Sequence, residues 1–371
     1  MHFTDPQVLF TAGPLNTSSA VKKAMLKDIG SRTETTIDLT SRICSKLLDT
    51  YDIDETFVAV PMQGSGTFGV EAMLTSCLPA IDYCVGVLIN GVYSQRMFEI
   101  CETHKISCLP LQCGNTQAIN PALVNVFLQR NPHISHLALV HFETGLGVLN
   151  ELTEIIKICE QRSVHLLLDA ISTFGAIPIQ FNSPAIGAVT LSANKCLHSV
   201  PGITFVIARK SILHSSLRRT MSLDLNAQWR RLANDRQWRF TPPTHVLLAF
   251  DQALNEWAKE GRAKRRLERY HRLNQRLVCK LAELDIIPVL DTVDRAPMIT
   301  TFLLPDNFPL SSEQLYRRLE SIGLIIYPST YATGRSIRIG CMGKLASSDI
   351  DRLTAALHEI SNSLNVPDSH V

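Results

Sequence analysis

Residues 191–196 of this chain have the sequence Leu191-Ser192-Ala193-Asn194-Lys195-Cys196. They continue an apolar run that begins at Ala188, and an earlier apolar run, 164–168, ends at Asp169. Short apolar runs bounded by polar segments are typical of buried strands. Lys195 and Asp169 are therefore predicted to lie at the carboxyl ends of two neighbouring strands, the edge at which open α/β sheets bind their ligands.

A lysine amine and a carboxylate at one edge of a sheet are the two groups that pyridoxal phosphate chemistry requires of a protein. The amine attaches covalently to the cofactor aldehyde, and the carboxylate faces the pyridinium nitrogen. Each residue alone has an ordinary structural explanation, because strands often end in aspartate and a lysine after a strand is usually solvated. The pair, Lys195 with Asp169, favours the catalytic interpretation.

Length and composition indicate a large globular protein. A chain of 371 residues can bury a sizeable core and is expected to form two domains, or one large and one small. Charged residues make up 19% and hydrophobic residues 45%, a balance that argues against disorder. The formal net charge of +2 gives no reason to expect nucleic acid or an anionic membrane as a partner.

We also expect a soluble, cytoplasmic protein without metal. No apolar run approaches the roughly 20 residues of a membrane span, and residues 1–6 show no secretory signal. The ten cysteines include no Cys-x-x-Cys pair and lie mostly in apolar segments, so they are predicted to be reduced core thiols. The twelve histidines show no familiar metal-binding spacing.

The hydrophobic pattern predicts an α/β domain with a mainly parallel sheet. Helical stretches alternate with short apolar strands between about residues 18 and 210, which is typical of strands joined by crossover helices. The predicted helices are 18–29, 38–50, 66–78, 91–104, 119–131 and 151–163. The predicted strands are 57–61, 84–90, 106–111, 135–142, 164–170, 187–192 and 203–209. Residues 211–243 show no regular pattern, and helices follow at 244–261 and 262–285.

The C-terminal part has the pattern of a smaller α+β domain. Strands are predicted at 286–290, 298–304, 324–328 and 336–341, with helices at 311–322 and 347–364. We expect a large cofactor-binding domain over residues 15–245 and a small domain over residues 246–371, which residues 1–14 join. The cleft between two such domains is the default ligand site.

Three further loops follow predicted strands and carry polar side chains. The segment Gln63-Gly64-Ser65-Gly66-Thr67 leads into a helix, whose free amides and neighbouring hydroxyls suit a phosphate group. Tyr93 can lie flat over a planar ring, and Thr144 can reach a ring hydroxyl. A tight turn and an aromatic packed at a helix start are the structural alternatives. Convergence of these loops on one crevice favours a cofactor site.

These segments resemble those of the class V (fold-type I) pyridoxal phosphate aminotransferases. Within that family they are similar to the branch that acts on 2-aminoethylphosphonate and pyruvate. The matching pieces run through nearly the whole chain: Thr11-Ala12-Gly13-Pro14-Leu15, Gln63-Gly64-Ser65-Gly66, Ser192-Ala193-Asn194-Lys195-Cys196, Val200-Pro201-Gly202, Ser222-Leu223-Asp224-Leu225, Ala227-Gln228-Trp229-Arg230, Trp238-Arg239-Phe240-Thr241, Pro243-Thr244-His245 and Arg338-Ile339-Gly340.

The resemblance implies a role in cofactor binding for residues at matching positions. Lys195 would form the covalent link and later carry the α-proton, and Asp169 would keep the pyridine nitrogen protonated. The cofactor phosphate would bind to Ser65, Gly66 and Thr67. The ring would be covered by Tyr93 and its hydroxyl contacted by Thr144.

The resemblance also implies a homodimer and a substrate-binding arginine. Thr241 would reach the cofactor phosphate of the neighbouring subunit, so that the two subunits share their active sites. Arg338 would bind the phosphonate of one substrate and the carboxylate of the other, because a guanidinium donates paired hydrogen bonds to both anions.

The chain departs from the family pattern in loops near the site. The departures are at Gly145 and Leu146, at Ser199 beside His198, at Ser329 and Thr330, and at 33–36. They leave open an aminotransferase of another substrate pair, of the alanine–glyoxylate or serine–pyruvate type. A non-catalytic protein with the same fold is a further alternative, but it would be expected to lack Lys195 or Asp169, and both are present.

Overall fold

The computed structural model describes residues 7–363, and its elements alternate along the chain as the hydrophobic pattern predicts. The helices are α1 (Ser19–Ala24), α2 (Glu34–Leu48), α3 (Gly66–Ser76), α4 (Val92–Thr103), α5 (Pro121–Arg130), α6 (Thr153–Gln161), α7 (Lys210–Ser215), α8 (Leu225–Asp235), α9 (Thr244–Glu260), α10 (Arg262–Ala282), α11 (Ser312–Glu320) and α12 (Ser347–Ser363). No helix within residues 7–363 has the length and apolar content needed to cross a membrane.

The strands are β1 (Val8–Leu9), β2 (Phe57–Gln63), β3 (Val85–Ile89), β4 (Cys108–Gln112), β5 (His136–Val140), β6 (Phe142–Glu143), β7 (Val148–Leu149), β8 (His165–Asp169), β9 (Ile186–Ser192), β10 (Ile203–Arg209), β11 (Ile287–Pro288), β12 (Ile299–Leu303), β13 (Leu324–Ile325), β14 (Tyr327–Pro328) and β15 (Ser336–Gly340). The signal-segment prediction at residues 1–6 and the end of the predicted small domain at 364–371 lie outside the described residues.

A seven-stranded sheet with the order β2-β10-β9-β8-β5-β3-β4 forms the centre of the larger part. Strand β10 is antiparallel to both of its neighbours, and the other strands run parallel to one another. Successive side chains point to opposite faces, so Leu166 and Leu168 enter one apolar core and Leu167 enters the other. Both faces are covered, which explains the uninterrupted apolar runs. The prediction of a mainly parallel sheet is confirmed.

This topology brings several strand ends to one edge of the sheet. Strands β2, β3, β5, β8 and β9 all end at that edge, because they run in the same direction. Strand β10 begins there, with Ile203 opposite Gln63. The loops that follow these strands therefore start side by side, which places the polar segments singled out above around one region of the molecule.

A separate four-stranded sheet, β11-β12-β15-β14, lies in the C-terminal part. Helices α10, α11 and α12 pack with it around their own apolar core, which includes Leu277, Phe302 and Leu353. Strand β1 joins this part by parallel pairing with β13. The smaller α+β unit is therefore present, and the domain limits at 15–245 and 246–371 stay a prediction.

The main difference from the predicted elements is helix α8 in the stretch 211–243. Its first turn is capped by Asp224, whose Oδ1 accepts a hydrogen bond from the backbone N–H of Ala227 at 2.9 Å. Leu225, Trp229 and Leu232 stand at helical spacing, and Leu225 and Trp229 pack on the core beside the central sheet. The prediction that residues 211–243 have no regular pattern is therefore wrong, for α8 and also for α7. Helix α1 is shorter than the predicted 18–29, and α2 begins at Glu34 instead of 38.

Candidate active site

The loops at the carboxyl edge of the central sheet enclose a cavity of about 240 Å³. The residues of the predicted cofactor site that line it are Ser65, Gly66, Thr67, Tyr93, Asp169 and Lys195. The remaining walls come from Gly13, Pro14, Val70, Arg96, Met97, Val140, Phe142, Ile171, Ser172 and Asn194. Residues that are distant in sequence, from five strand ends and the N-terminal segment, thus share one pocket.

Lys195 lies in the connection between β9 and β10, and its side chain approaches the N-terminal segment. Its Nζ donates a hydrogen bond to the carbonyl oxygen of Ala12 at 2.6 Å. Gly13 permits this approach, because a Cβ at that position would lie 2.5 Å from Nζ. Burial, aided by the nearby charge of Arg338, lowers the pKa of Lys195 from 10.5 to about 8. About a tenth of the amine is therefore neutral at pH 7, far more than for an ordinary lysine.

Asp169 ends β8 and is 7% exposed. Its Oδ1 accepts a hydrogen bond from the backbone N–H of Ile171 at 2.9 Å. Burial raises the pKa of Asp169 from 3.8 to about 7, and the negative charge of Glu143 acts in the same direction. A carboxyl in this environment is stabilised when a cationic N–H group lies against it.

Helix α3 begins at the cavity with backbone amides that no side chain caps. Ser65 is its N-cap residue, and the Ser65 hydroxyl makes no capping hydrogen bond. The backbone at Gly66 fits closely against the neighbouring loop, since a Cβ there would lie 2.5 Å from Cδ1 of Ile171. An uncapped helix start with adjacent hydroxyls, from Ser65 and Thr67, can bind a phosphate group.

Helix α4 contributes an aromatic ring and a cation to the same cavity. Tyr93 is the second residue of the helix, and the guanidinium of Arg96 lies 5.1 Å from the centroid of the Tyr93 ring. The Nη1 of Arg96 also donates a hydrogen bond to Oγ1 of Thr67 at 3.4 Å. The first turns of α3 and α4 are thus linked through side chains that line the cavity.

Three predicted site residues do not line this cavity. Thr144 is buried, and its carbonyl oxygen accepts a hydrogen bond at 2.9 Å from Nη1 of Arg338. The Nε of Arg338 is buried without a hydrogen-bond partner among the described residues. Thr241 is exposed and lines a second cavity together with Phe68 and Phe240. In a single chain, Thr241 is therefore separated from the pocket that holds Lys195.

Sequence reasoning gave no role to several residues of the site. Arg96 stands three positions after Tyr93, a spacing that places two residues on one helix face, so the pattern offered a signal. Glu143 also received no role, yet its buried carboxylate contacts the start of α4. The contact between Lys195 and Ala12 offered no signal, because it joins segments 183 positions apart.

The groups around the cavity match the functional groups of pyridoxal phosphate. The pocket offers one amine of lowered pKa, one buried carboxyl of raised pKa and an uncapped helix start, at Lys195, Asp169 and Ser65 respectively. An aldehyde, a protonated pyridine nitrogen and a phosphate are the complementary groups. The residues present therefore fit this cofactor.

Comparison with known proteins gives a consistent family match. The family model described as aminotransferase class-V matches residues 96–322, more than half of the chain. The 2-aminoethylphosphonate–pyruvate transaminase of Burkholderia ambifaria (strain MC40-6) is 38% identical over 364 residues, covering 98% of this chain and 97% of the relative. The enzyme of the same name from Klebsiella pneumoniae is 37% identical, covering 94% and 96% of the two chains.

Solved structures with the same fold are more distant in sequence. The alanine–glyoxylate aminotransferase of Nostoc sp. superposes with a TM-score of 0.87 at 22% identity, covering 96% of each chain. The ureidoglycine–glyoxylate aminotransferase of Bacillus subtilis superposes with a TM-score of 0.88 at 20% identity, covering 98% of this chain and 95% of that one. At these identities the likeness establishes the fold, which is the predicted fold-type I architecture.

Proposed function

The chain belongs to the class-V aminotransferase family, and on that premise we propose that it transfers the amino group of 2-aminoethylphosphonate to pyruvate. The products are phosphonoacetaldehyde and L-alanine, and the cofactor is pyridoxal phosphate. The observation that carries the proposal is the shared cavity of Lys195 and Asp169 in a chain that is similar over its whole length to transaminases of that name.

Each side chain of the cavity has a part in holding the cofactor, which when bound withdraws electrons from the carbon that carries the amino group. Lys195 forms the covalent attachment, and Asp169 holds a proton on the pyridine nitrogen by lying against it. The phosphate is held by Ser65, Gly66 and Thr67 at the start of α3. Tyr93 would cover the ring face, and Thr144, which does not line the cavity in the single chain, would contact the ring hydroxyl.

Lys195 also moves the substrate proton. An amine whose pKa is about 8 can accept a proton and return it near neutral pH, which an ordinary lysine amine cannot do efficiently. Its hydrogen bond to the Ala12 carbonyl holds Nζ inside the cavity. The walls formed by Val140, Phe142 and Ile171 reduce the access of water to that proton.

Arg338 binds the anionic end of each substrate. Its Nη1 donates a hydrogen bond to the Thr144 carbonyl, and its buried Nε has no hydrogen-bond partner within residues 7–363, so an anion that reached it would meet a free donor. The charge of Arg338 acts on Lys195, whose pKa it helps to lower, so a substrate attached near Lys195 would have a cation in its surroundings. The phosphonate and the pyruvate carboxylate occupy this position in turn.

The second candidate function is transamination of another small substrate pair, of the alanine–glyoxylate or serine–pyruvate type. The loop residues Gly145, Leu146, Ser199, Ser329 and Thr330 differ from the pattern of the 2-aminoethylphosphonate branch. A structural neighbour with the alanine–glyoxylate name shares the fold. Sequence identity favours the phosphonate reaction, since the relatives of that name are 36–38% identical over nearly the full chain.

We further propose a cytoplasmic homodimer with shared active sites. The second cavity, lined by Phe68, Phe240 and Thr241, presents two phenylalanines that are about half exposed, which suits an apolar contact with another subunit. Thr241 would then reach the cofactor phosphate of the partner subunit. The ten free cysteines suit a reducing compartment. The large domain over residues 15–245 and the small domain over 246–371, with 1–14, complete the proposal.

A substrate panel tests the proposed reaction. Purified enzyme loaded with pyridoxal phosphate is mixed with 2-aminoethylphosphonate, serine or alanine, and conversion of the cofactor from the aldehyde to the amine form is followed by absorbance. We expect the fastest conversion with 2-aminoethylphosphonate and its reversal by pyruvate. If serine or alanine converts the cofactor and 2-aminoethylphosphonate does not, the phosphonate reaction is ruled out in favour of the second candidate function. Lys195→Ala, which should fold but form no covalent link, is the control for cofactor attachment.

A further inference from the structure

A buried carboxylate, that of Glu143, anchors the first turn of helix α4. Glu143 is 1% exposed, and its Oε1 and Oε2 accept hydrogen bonds from the backbone N–H of Tyr93 at 3.1 and 3.2 Å. Its Oε2 also accepts from the backbone N–H and the hydroxyl of Ser94, at 3.0 and 3.1 Å. The carboxylate thus binds the successive backbone amides of Tyr93 and Ser94, and the Tyr93 side chain lines the cavity.

The local sequence allows a carboxylate from another loop to take this position. The residue before α4 is Gly91, which has no side chain to cap the helix, and α4 has no acidic residue in its first turn. A Cβ at Gly91 would lie 2.2 Å from Cγ of Glu143. Glycine is therefore required for Glu143 to reach the helix start. The positive end of the helix dipole and the amide hydrogen bonds offset the cost of burying the carboxylate.

Glu143 does not itself reach the reacting groups. It lines a neighbouring cavity of about 220 Å³, together with Asn90, Gly145 and Tyr331, and is absent from the walls of the cavity around Lys195. Its charge is nonetheless close to that cavity, since it raises the pKa of Asp169. It is placed to act on the cofactor site through its neighbours.

We propose that Glu143 is a positioning residue, whose carboxylate fixes the start of α4 and thereby holds the Tyr93 ring at the angle needed to cover the cofactor. This inference rests on the proposed pyridoxal phosphate site. A ring attached to a free helix end has several orientations available, and ordering it on binding costs conformational entropy. Fixing Tyr93 beforehand removes part of that cost, so the benefit is measured as cofactor affinity.

A double-mutant cycle tests whether Glu143 acts through Tyr93. Cofactor dissociation constants are measured by absorbance titration for wild type, Glu143→Ala, Tyr93→Leu and the double variant. In the wild-type background we expect Glu143→Ala to raise the cofactor dissociation constant about tenfold. When Tyr93 is already leucine, the increase caused by Glu143→Ala should be smaller by a factor of about three or more. Unchanged affinity, or an equal loss in both backgrounds, would overturn the inference.

Matched variants separate positioning from general loss of stability. Glu143→Gln keeps the shape and one acceptor oxygen, and we expect it to weaken binding less than Glu143→Ala. If Glu143→Ala does not fold, Glu143→Gln is judged by the same cycle. Ser311→Ala removes the N-cap of α11, distant in the C-terminal part, and should lower stability without changing cofactor affinity. A similar affinity loss in Ser311→Ala would contradict a positioning role.

Hydrogen exchange of the cofactor-free protein distinguishes failure of this inference from failure of the proposed function. We expect the amides of Tyr93 and Ser94 to exchange at least tenfold faster in Glu143→Ala than in wild type, because their acceptor is lost. If wild type binds no pyridoxal phosphate, the proposed function fails while the exchange result still decides the anchoring. Unchanged exchange at both amides would refute the anchoring itself.

Discussion

Lys195 and Asp169 carry pKa values that burial has moved toward each other, to about 8 and about 7. In water a lysine and an aspartate would both be fully charged near neutral pH, with model values of 10.5 and 3.8. Burial penalises the charged form of each group, so both groups titrate close to neutral pH. Groups tuned in this way, and lining one cavity, are typical of sites that move protons.

The raised pKa of Asp169 predicts a pH-dependent stability of the cofactor-free protein. Between about pH 4 and pH 7 the folded state holds a proton on Asp169 that the unfolded state has released, so stability falls as the pH rises. The loss amounts to about 1.4 kcal/mol for each pH unit across that window. Urea denaturation of wild type and Asp169→Asn at pH 5 and pH 7 measures it. Parallel pH dependence in the two proteins would contradict the shift.

Arg338→Ala is expected to weaken the binding of anionic substrates by about 2–5 kcal/mol, because the buried anion loses its charge partner. The dissociation constant of 2-aminoethylphosphonate, obtained from the change in cofactor absorbance, gives the value. Arg335→Ala is the matched control, since Arg335 lies on the same segment and pairs with Asp306 at the surface. An unaltered substrate affinity in Arg338→Ala would remove this residue from the substrate site.

Among the elements, the strands of the central sheet were the easiest to predict. Most are covered on both faces, so their sequences are apolar runs that end at polar loops, as Leu166 to Asp169 illustrates. The edge strand β4 is partly exposed. Helix α8 was not predicted, although Leu225, Trp229 and Leu232 stand at helical spacing, because this apolar stripe is short and lies among polar residues. The anchoring of α4 by Glu143 had no sequence signal, since it joins residues 49 and 50 positions apart and depends on the sheet topology. Local hydrophobic patterns predict helices and strands, whereas contacts between distant loops can be predicted only when the fold is known.

At the start of α3, Gly66→Ala is expected to reduce cofactor affinity. The new Cβ would lie 2.5 Å from Cδ1 of Ile171, so either the helix start or the Ile171 side chain must shift within the cavity wall. We expect a loss of about tenfold or more in the affinity for pyridoxal phosphate, measured by absorbance titration. The double variant Gly66→Ala/Ile171→Ala removes the clash and should recover part of the affinity. No recovery would mean that Gly66 matters for another reason.

At the scale of the whole molecule, the C-terminal part holds two of the loops that form the site. Arg338 of β15 binds the Thr144 carbonyl, and Arg266 of α10 donates a hydrogen bond to the Cys196 carbonyl beside the lysine. His198 Nε2 accepts hydrogen bonds from the Tyr270 hydroxyl at 2.6 Å and from the backbone N–H of Gly343 at 3.0 Å. The lysine loop therefore depends on packing between the two parts of the chain.

Replacing an exposed phenylalanine of the second cavity should disturb both assembly and cofactor binding. Phe240 is 50% exposed beside Thr241, and Phe240→Asp would put a charge into the proposed apolar subunit contact. We expect sedimentation to show a shift from dimer toward monomer, together with weaker cofactor binding, as Thr241 leaves the partner subunit's phosphate. Val293→Asp, at a residue 89% exposed outside that cavity, is the control. An unshifted dimer would place the subunit contact elsewhere.

The antiparallel strand β10 has a consequence for how the lysine moves. Its pairing with β9, with Thr204 opposite Ser192, fastens both ends of the connection that carries Lys195. Within that connection the N–H of His198 donates to the Lys195 carbonyl, and the N–H of Ser199 donates to the Ala193 carbonyl, both at 2.9 Å. These hydrogen bonds hold the backbone at Lys195, so the amine is expected to move chiefly by rotation about the bonds of its own side chain. The length of the Lys195 side chain therefore limits which atoms the amine can contact. A substrate atom farther away than that length cannot exchange a proton with the amine.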